Sequence, residues 1–326
     1  GYYSMKFALI LEDSIQRSFQ VRNKCAYRYG TDIIYEWHSS IKIDDTMTSM
    51  GPFAYPFIFE GDYLNWNELG TLPDNDYDVI FCAVEQWPDR FNVEKIRKVY
   101  PNALIVGTIK ELYFIKDYET RIKFFNDCDV VCVPYKESFA TCFPKIHDDV
   151  NKTIHWLPQG YDIDFLYKNF YKEDRTESIF SYIAPHPPRR YCTEQFADAL
   201  SKKYNIPIVR QEVPYTGIGC PQWFNFLELF KKFTFCINLD PEPQFGQQGV
   251  QSAILGIINI GGVNDSHFNL HPNTAHNDLE KLDKEFARYL EDLDYRNTQI
   301  QNSFRKAEKI YSFEAVRNKF NEISKL

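Results

Sequence analysis

Several things are missing from this 326-residue sequence, and each absence narrows what the protein can be. No run of 18 apolar residues occurs, so no segment reads as a membrane span. The opening "GYYSMKFALILEDS" has no basic leader, and its apolar stretch stops at Glu12-Asp13. It reads as a first strand rather than a signal peptide, with residues 1–4 a short extension ahead of Met5. The eight cysteines (25, 82, 128, 132, 142, 192, 220 and 236) lack the regular spacing of a disulfide framework. Cys128-x-x-x-Cys132 has no second pair at zinc spacing. Settings such as "VIFCAVE" and "FTFCINL" mark these as buried reduced thiols in a cytoplasmic protein. A basic surplus is absent too. The formal net charge of -8 argues against a surface coated for nucleic acid, although a local basic cleft can still focus a field.

What is present is core material: 44% hydrophobic and 17% aromatic residues, with an ordinary 25% charged, enough for one large or two medium domains. In the first half, "KFALILE" (6–12), "YDVIFCAVE" (77–85), "NALIVGTI" (102–109), "CDVVCVPY" (128–135) and "KTIHWLP" (152–158) are short, continuous apolar runs. Helical stretches stand between several of them: 14–30, 91–101 and 118–127. Continuous apolar strands alternating with amphipathic helices predict a parallel sheet covered on both faces. The segment 46–66, "TMTSMGPFAYPFIFEGDYLNW", reads as a long aromatic loop near a ligand cleft.

The same grammar restarts after residue 160. Strands at 177–185, 206–213, 234–240 and 257–262 alternate with helices at 192–205, 220–233 and 249–256, and the tail from 276 to 326 is helical almost throughout. Between the halves, "HWLPQGYDIDFLY" (155–167) ends a strand at Pro158, turns at Gly160 and restarts a helix that Asp162 can cap. Two α/β domains therefore meet near residue 160. Ligands of such sheets bind outside the carboxyl ends of the strands, in a cleft.

These residues resemble a known family. "IHWLPQGYDIDFLY" is similar to the interdomain segment of GT-B glycosyltransferases, family 4 above all, where a strand ends in Pro-Asn-Gly-Val-Asp or a near variant. Downstream, "VPYTGIGCPQWFNFLELFKKFTFCINLDPEPQFGQQGVQSAILGIINIGG" (213–262) resembles that family's long second-domain pattern. Phe245-Gly246 matches its Phe-Gly loop, and Gly256 the glycine before the last strand. "AEKIYSFEAVRNKF" resembles its closing helix, which crosses back to the first domain. The resemblance covers about the last 170 residues by pattern and the first 150 by topology alone. It implies two Rossmann-like domains: 1–160 binding the acceptor and 161–305 binding a nucleotide-sugar, with 306–326 as the returning helix. The family's Glu-x7-Glu pair is not intact. Its first position falls on Pro243, with Glu242 displaced by one, and its second on Gln251, whose neutral amide binds a ribose hydroxyl more weakly than a carboxylate.

Candidate site residues follow from chemistry and from this resemblance. Arg189-Arg190, in the loop "APHPPRR" that opens a helix, offer forked donors to a diphosphate. The resemblance assigns a basic residue of this loop, with His186 beside it, to the same task. In "FGQQGVQ", Gly246 and Gly249 bracket a turn that feeds a helix, so backbone N–H groups can point at an anion. Phe245, Gln247, Gln248 and Gln251 belong to the same donor-binding stretch, and Gly217-Ile218 mark the turn where the family brings a nucleobase against the backbone. Asp13 and Glu85 follow strands in the first half and stand as a base or an acceptor ligand. Glu242 lies where the family contacts the donor sugar. His38 and His186 are further strand-end candidates. The plainer reading makes these carboxylates caps, these histidines structural and these arginines surface charges. Asp127-x-Asp129 and Asp162-x-Asp164 read as capping and solvated pairs rather than a metal site.

The expected activity is transfer of a hexosyl or pentosyl group from a nucleoside-diphosphate-sugar to an acceptor hydroxyl. Transfer is expected with retention, with no metal or other cofactor, by an enzyme that is cytoplasmic or peripheral to a membrane and has no stable protein partner. The acceptor is expected to be a glycan or a lipid-linked saccharide, with residues 53–66 and Trp87 suited to stacking on it. Other readings are a viral-type transferase acting on modified bases in DNA, a GT-B-fold sugar-nucleotide epimerase, and a non-catalytic nucleotide-sugar binder. The DNA reading needs a basic groove, and "EKIRKVY" and "SFRKAEK" are modest clusters with acidic neighbours.

Overall fold

Apolar runs of four to six residues become parallel strands, because a strand flanked by two neighbours and covered on both faces has no polar side to show. The computed structural model describes residues 5–11, 18–20, 26–29, 32–36, 54–72, 76–84, 92–109, 118–134, 136, 144–182, 187–211, 220–239, 246–261, 265–271 and 278–325. By its internal contacts the chain divides into two compact units. One comprises Gly1–Gly160, Gly217–Pro221 and Val316–Leu326; the other comprises Tyr161–Thr216 and Gln222–Ala315.

In chain order the strands of the first unit are β1 (Phe7–Leu11), β2 (Phe19–Gln20), β3 (Ala26–Tyr29), β4 (Asp32–Glu36), β5 (Asp62–Leu64), β6 (Val79–Val84), β7 (Leu104–Ile109), β8 (Val130–Val133) and β9 (Ile154–Trp156). Seven of them form one sheet in the order β2-β5-β1-β6-β7-β8-β9. The six strands from β5 to β9 run parallel, and β2 joins antiparallel at the edge. Residues 7–10 of β1 and 79–83 of β6 are buried throughout, as the unbroken apolar runs require. The helices Val93–Val99 and Tyr118–Asp127 link successive strands. Gly107 of β7 allows the second of these to approach: a Cβ there would lie 3.0 Å from Cys128 Sγ and 3.1 Å from the Phe125 ring. The last helix, Phe313–Ser324, sends Phe320 into this unit's core. Its ring meets Phe59 at 5.3 Å and Phe7 and Phe81 at 6.4 Å, beside the stacked Phe7–Phe59 pair.

Two expectations for this half are corrected. The described residues of 14–30 are not helical: residues 19–20 form β2 and 26–29 form β3, which pairs antiparallel with β4 in a two-stranded sheet. The aromatic and β-branched alternation of "AYRYGTDIIYE" suits a pleated strand pair better than a 3.6-residue period. Nor are residues 54–64 of the expected aromatic loop an open binding loop; its residues 46–53 lie outside the described ones. The chain turns through a short helix, Tyr55–Ile58, and enters the sheet as β5, burying Tyr55, Phe59 and Tyr63. These rings fill the core next to Phe7 and Phe81 and are not available for stacking on a ligand.

The second unit contains β10 (Ile179–Tyr182), β11 (Ile208–Gln211), β12 (Phe235–Ile237) and β13 (Ile258–Ile260), all parallel, in the order β11-β10-β12-β13. Ile179, Phe235, Ile237 and Ile260 pack with Phe286 and Tyr289 in one core cluster. Phe180 packs with Phe226, Phe230 and Phe233 in an aromatic one. Arg175 ties the helix ends together: its guanidinium donates to the carbonyls of Lys231 (2.8 Å), Gly256 (2.7 Å) and Leu255. With carbonyls rather than carboxylates around it, burial lowers its pKa to about 10.

The stretch that joins the halves behaves as its sequence predicts. After β9 the chain passes Pro158 and Gly160, and Asp162 Oδ1 accepts the Phe165 N–H (3.2 Å) to cap the helix Ile163–Phe170. Within the second unit, Tyr161 N–H donates to the Tyr311 carbonyl (2.8 Å), where the helix Leu293–Tyr311 ends.

Candidate nucleotide-binding site

Strand order locates the site. From β10 the chain runs through the helix Pro187–Tyr204 to β11 on one side; from β12 it runs through the helix Gln247–Leu255 to β13 on the other. Because β10 and β12 are neighbours, their outgoing connections diverge and leave a crevice outside their carboxyl ends, the usual ligand position in an open α/β sheet. Arg189 and Arg190 lie in the first turn of the former helix, and Gly246 opens the latter. The first unit repeats the device between β1 and β6. Asp13 comes two residues after β1 and Glu85 immediately after β6.

The connection after β12 is held from several sides. Gly246 adopts φ +82°, a left-handed conformation that a side chain would strain, and no side chain among the described residues caps the helix it opens. The Ser266 hydroxyl donates to its carbonyl (2.5 Å). At the end of β12, Leu239 N–H donates to Thr193 Oγ1 (2.9 Å), while Asn238 Nδ2 donates to Gln248 Oε1 (3.3 Å). That second contact turns the Gln248 amide so that Nε2, buried, meets no acceptor among the described residues. Gly249 N–H donates to the Gly246 carbonyl (3.0 Å), and the N–H groups of Gln247 and Gln248 open the helix ahead of it. An oriented amide and the first main-chain N–H groups thus converge at one helix terminus that also carries positive dipole.

Behind this turn lies a buried polar layer. Gly249 carbonyl accepts from Ser252 Oγ (2.9 Å) and from His271 Nε2 (2.9 Å); Ser252 Oγ in turn accepts from Asn259 Nδ2 of β13 (3.1 Å). Burial, with Lys306 nearby, pulls the His271 pKa down to about 4, so the imidazole is neutral at pH 7 and its Nε2 carries the proton. Gln251 is 1% exposed, and its Oε1 accepts from the Trp223 indole (3.3 Å). A neutral amide suits this dry position, where a carboxylate beside an indole would be poorly compensated.

The other loop differs. The helix after β10 begins with Pro187 and Pro188, which have no N–H, so its terminus offers fewer amide donors than expected and leaves anion recognition there to side chains. The side chains of Arg189 and Arg190 lie outside the described residues, as do Asp13, Glu85, Glu242, His38, His186, Gly217, Ile218, Phe245 and Trp87. Of the donor-binding stretch, Gly246, Gln247, Gln248, Gly249 and Gln251 fall on one helix and its cap. Asp129 pairs with Arg97 at 2.8 and 3.1 Å and accepts the Ile105 N–H, and Asp127 pairs with Lys123, so that acidic pair is structural. Sequence reading missed Asn238, Ser266 and His271. Asn238 alone carried a signal, a polar residue closing the apolar run "FTFCI".

No family model matches the chain, and no curated relative matches it. Solved structures do. An α-glucosyltransferase in complex with UDP and a 13-mer DNA containing a central A:G mismatch superposes with a TM-score of 0.60 at 10% identity, over 99% of this chain and 100% of that one. Sucrose-phosphate synthase from Thermosynechococcus elongatus gives 0.58 at 13% identity, over 98% of each. TarM gives 0.57 at 14% identity, over 80% of this chain and 57% of TarM. The chain has the GT-B fold. Its two parallel sheets, six strands and four with an antiparallel strand added to the first, are the two Rossmann-like sheets of GT-B. The likeness to GT-B glycosyltransferases runs along nearly the whole chain. Among the described residues no helix is long and apolar enough to cross a membrane.

Proposed function

We propose that the protein is a glycosyltransferase that binds a nucleoside-diphosphate-sugar at the carboxyl ends of β10 and β12 and transfers the sugar to an acceptor hydroxyl. The observation that carries this reading is the crevice between those strands. There a glycine-opened helix presents its first N–H groups and the oriented Gln248 amide, and the helix from the neighbouring strand carries two arginines in its first turn. In the reaction the bond between the anomeric carbon and the diphosphate oxygen breaks, and the negative charge left on the diphosphate is met by these donors. Arg189 and Arg190 supply the forked cationic contacts, Gln247 and Gln248 their main-chain N–H groups, and Gln248 its side-chain amide. The acceptor hydroxyl bonds to the anomeric carbon, and in the retaining course its proton passes to the departing phosphate, with no metal. Glu242 stands on the donor-sugar side; Asp13 and Glu85, following β1 and β6, stand on the acceptor side as base or hydroxyl ligand. His186 and the turn at Gly217-Ile218 complete the donor set. Residues 1–160 take the acceptor, 161–305 the donor, and 306–326 return to the first domain.

A saccharide hydroxyl, free or lipid-linked, is the acceptor of this reading. One observation favours a base in DNA as a second reading: the α-glucosyltransferase solved on DNA, including DNA with an HMU base, matches from end to end. The test is a thermal-shift screen against UDP, GDP, ADP, CMP and their sugar conjugates, with and without Mg²⁺, followed by transfer assays on a saccharide panel and on DNA containing an HMU base. A ligand well above its Kd should raise the melting point by a few degrees. A metal-independent shift with one nucleoside-diphosphate-sugar is the expected result; no shift with any would overturn the enzyme reading. Transfer to DNA, with binding that weakens steeply with salt, would select the second reading.

A further inference from the structure

His271 is absent from every motif considered above, yet it is buried directly behind the glycine turn. Its Nε2 lies 2.9 Å from the Gly249 carbonyl and 3.4 Å from Ser252 Oγ. The carbonyl can only accept, so Nε2 must donate. Ser252 directs its own hydroxyl proton to the same carbonyl (2.9 Å) and accepts from Asn259 (3.1 Å), which leaves it no second proton to offer the ring. The direction of every bond in this layer is therefore fixed. Ser266, one turn before His271, grips the Gly246 carbonyl. Two side chains from Asp265–His271 thus hold the first and fourth residues of the turn, the two glycines that bracket Gln247 and Gln248.

We propose that His271 is a positioning residue for nucleotide-sugar binding: its Nε2–H fixes the Gly249 carbonyl and thereby aims the first-turn amides and the Gln248 side chain. The inference rests on the donor site proposed above. A helix glycine without a side chain to lock it is the place where such a turn would drift, and a small misplacement of donor groups weakens every contact they make. The helix Gln247–Leu255 and β13 contain no titratable residue, so nothing on either responds to pH. The charged group that faces the ring from the helix Leu293–Tyr311 is Lys306, which opposes its protonation, as burial does; Asp265 heads the preceding short helix.

The experiment compares two amide substitutions. Gln places its Nε2 about where the imidazole Nε2 sits; Asn reaches only as far as Nδ1. Both variants and the parent protein are titrated with the nucleotide-sugar found for the parent, by calorimetry, and kcat and KM are measured. His271→Gln should keep Kd and KM within about twofold, while His271→Asn should raise both by roughly fivefold to tenfold with a smaller change in kcat, as expected for one lost hydrogen bond. Equal affinity for all three would overturn the proposal and leave the donor-site reading standing. A parent protein that binds no nucleotide-sugar overturns both, and that outcome is visible without any variant. Should His271→Asn fail to fold, His271→Leu, which fills the space but carries no donor, takes its place, and a Kd for it equal to that of His271→Gln would reject the assignment.

Discussion

The two units bury different things. Of the buried polar or charged side chains among the described residues, Thr108, Arg121 and Gln159 lie in the first unit and eleven lie in the second, from Ser181 to Ser303. The first closes over Phe7, Tyr55, Phe59, Phe81 and Phe320, rings against rings. The second has a comparable aromatic core but adds the layer of Ser252, Asn259, Ser266 and His271 beneath the turn at Gly246. Apolar packing is non-directional and holds a sheet together. Hydrogen bonds are directional and can fix individual carbonyls, which is what a turn meant to present amides at set angles needs. Scaffold and binding turn are stabilised by different physics, and so should fail under different perturbations.

The largest effect is expected in the ring cluster. Phe320 is fully buried among three phenylalanines, so Phe320→Ala should destabilise the protein by about 3–5 kcal/mol, seen as a lower urea midpoint at unchanged slope. A change below about 1 kcal/mol would mean the last helix contributes little to the first unit. Next comes acid sensitivity of the polar layer. His271 has a native pKa of about 4 against 6.5 when unfolded, so between those values the unfolded chain binds a proton that the native state excludes. The stability present above pH 6.5 is therefore lost as the pH falls toward 4, by up to about 3 kcal/mol. His271→Gln should flatten that part of the urea-stability profile, and a variant profile parallel to that of the parent would show that the acid sensitivity arises elsewhere. Phe320→Ala, in contrast, should leave the shape of the profile alone.

Smaller in free energy is the loss of a charged contact at the other loop. With Pro187 and Pro188 removing two amide donors, the arginines should matter more there than backbone does. Arg190→Ala is expected to raise donor KM or lower kcat by about tenfold or more, the scale of one charged hydrogen bond. Unchanged kinetics in both the Arg189 and Arg190 single variants would reject the diphosphate assignment.

How far the fold could be read ahead varied with the signal each segment carries. The strands at 79–84, 104–109, 235–237 and 258–260 announced themselves because a doubly covered strand must be continuously apolar. The joint at 155–165 was legible because Pro158, Gly160 and Asp162 each have a local mechanism. Residues 19–20 and 26–29 were misread as helical because their alternation is short and stands among polar residues, and the aromatic stretch at 53–66 because Pro and Gly suggested a loop where Tyr55, Phe59 and Tyr63 in fact fill core. Gly246 could be singled out by its place ahead of a helix. Ser266 and His271 could not: their partners are backbone carbonyls 20 and 22 residues earlier, and a carbonyl has no sequence signature.

The smallest expected effect sharpens the comparison where the units join. Asp162 caps the helix that opens the second unit, accepting the Phe165 N–H at 3.2 Å, and that helix buries Ile163, Phe165, Leu166 and Phe170. The apolar face is intact without the cap, so Asp162→Ala should lower stability by only about 1 kcal/mol, with Asp162→Asn close to the parent because an amide oxygen still accepts. A urea midpoint unmoved by the Ala change would show that the helix start is set by packing alone. A loss well above about 2 kcal/mol would instead give the carboxylate a second task beyond the cap, and polar fixing in the second unit would then extend from the binding turn to the helix that opens it.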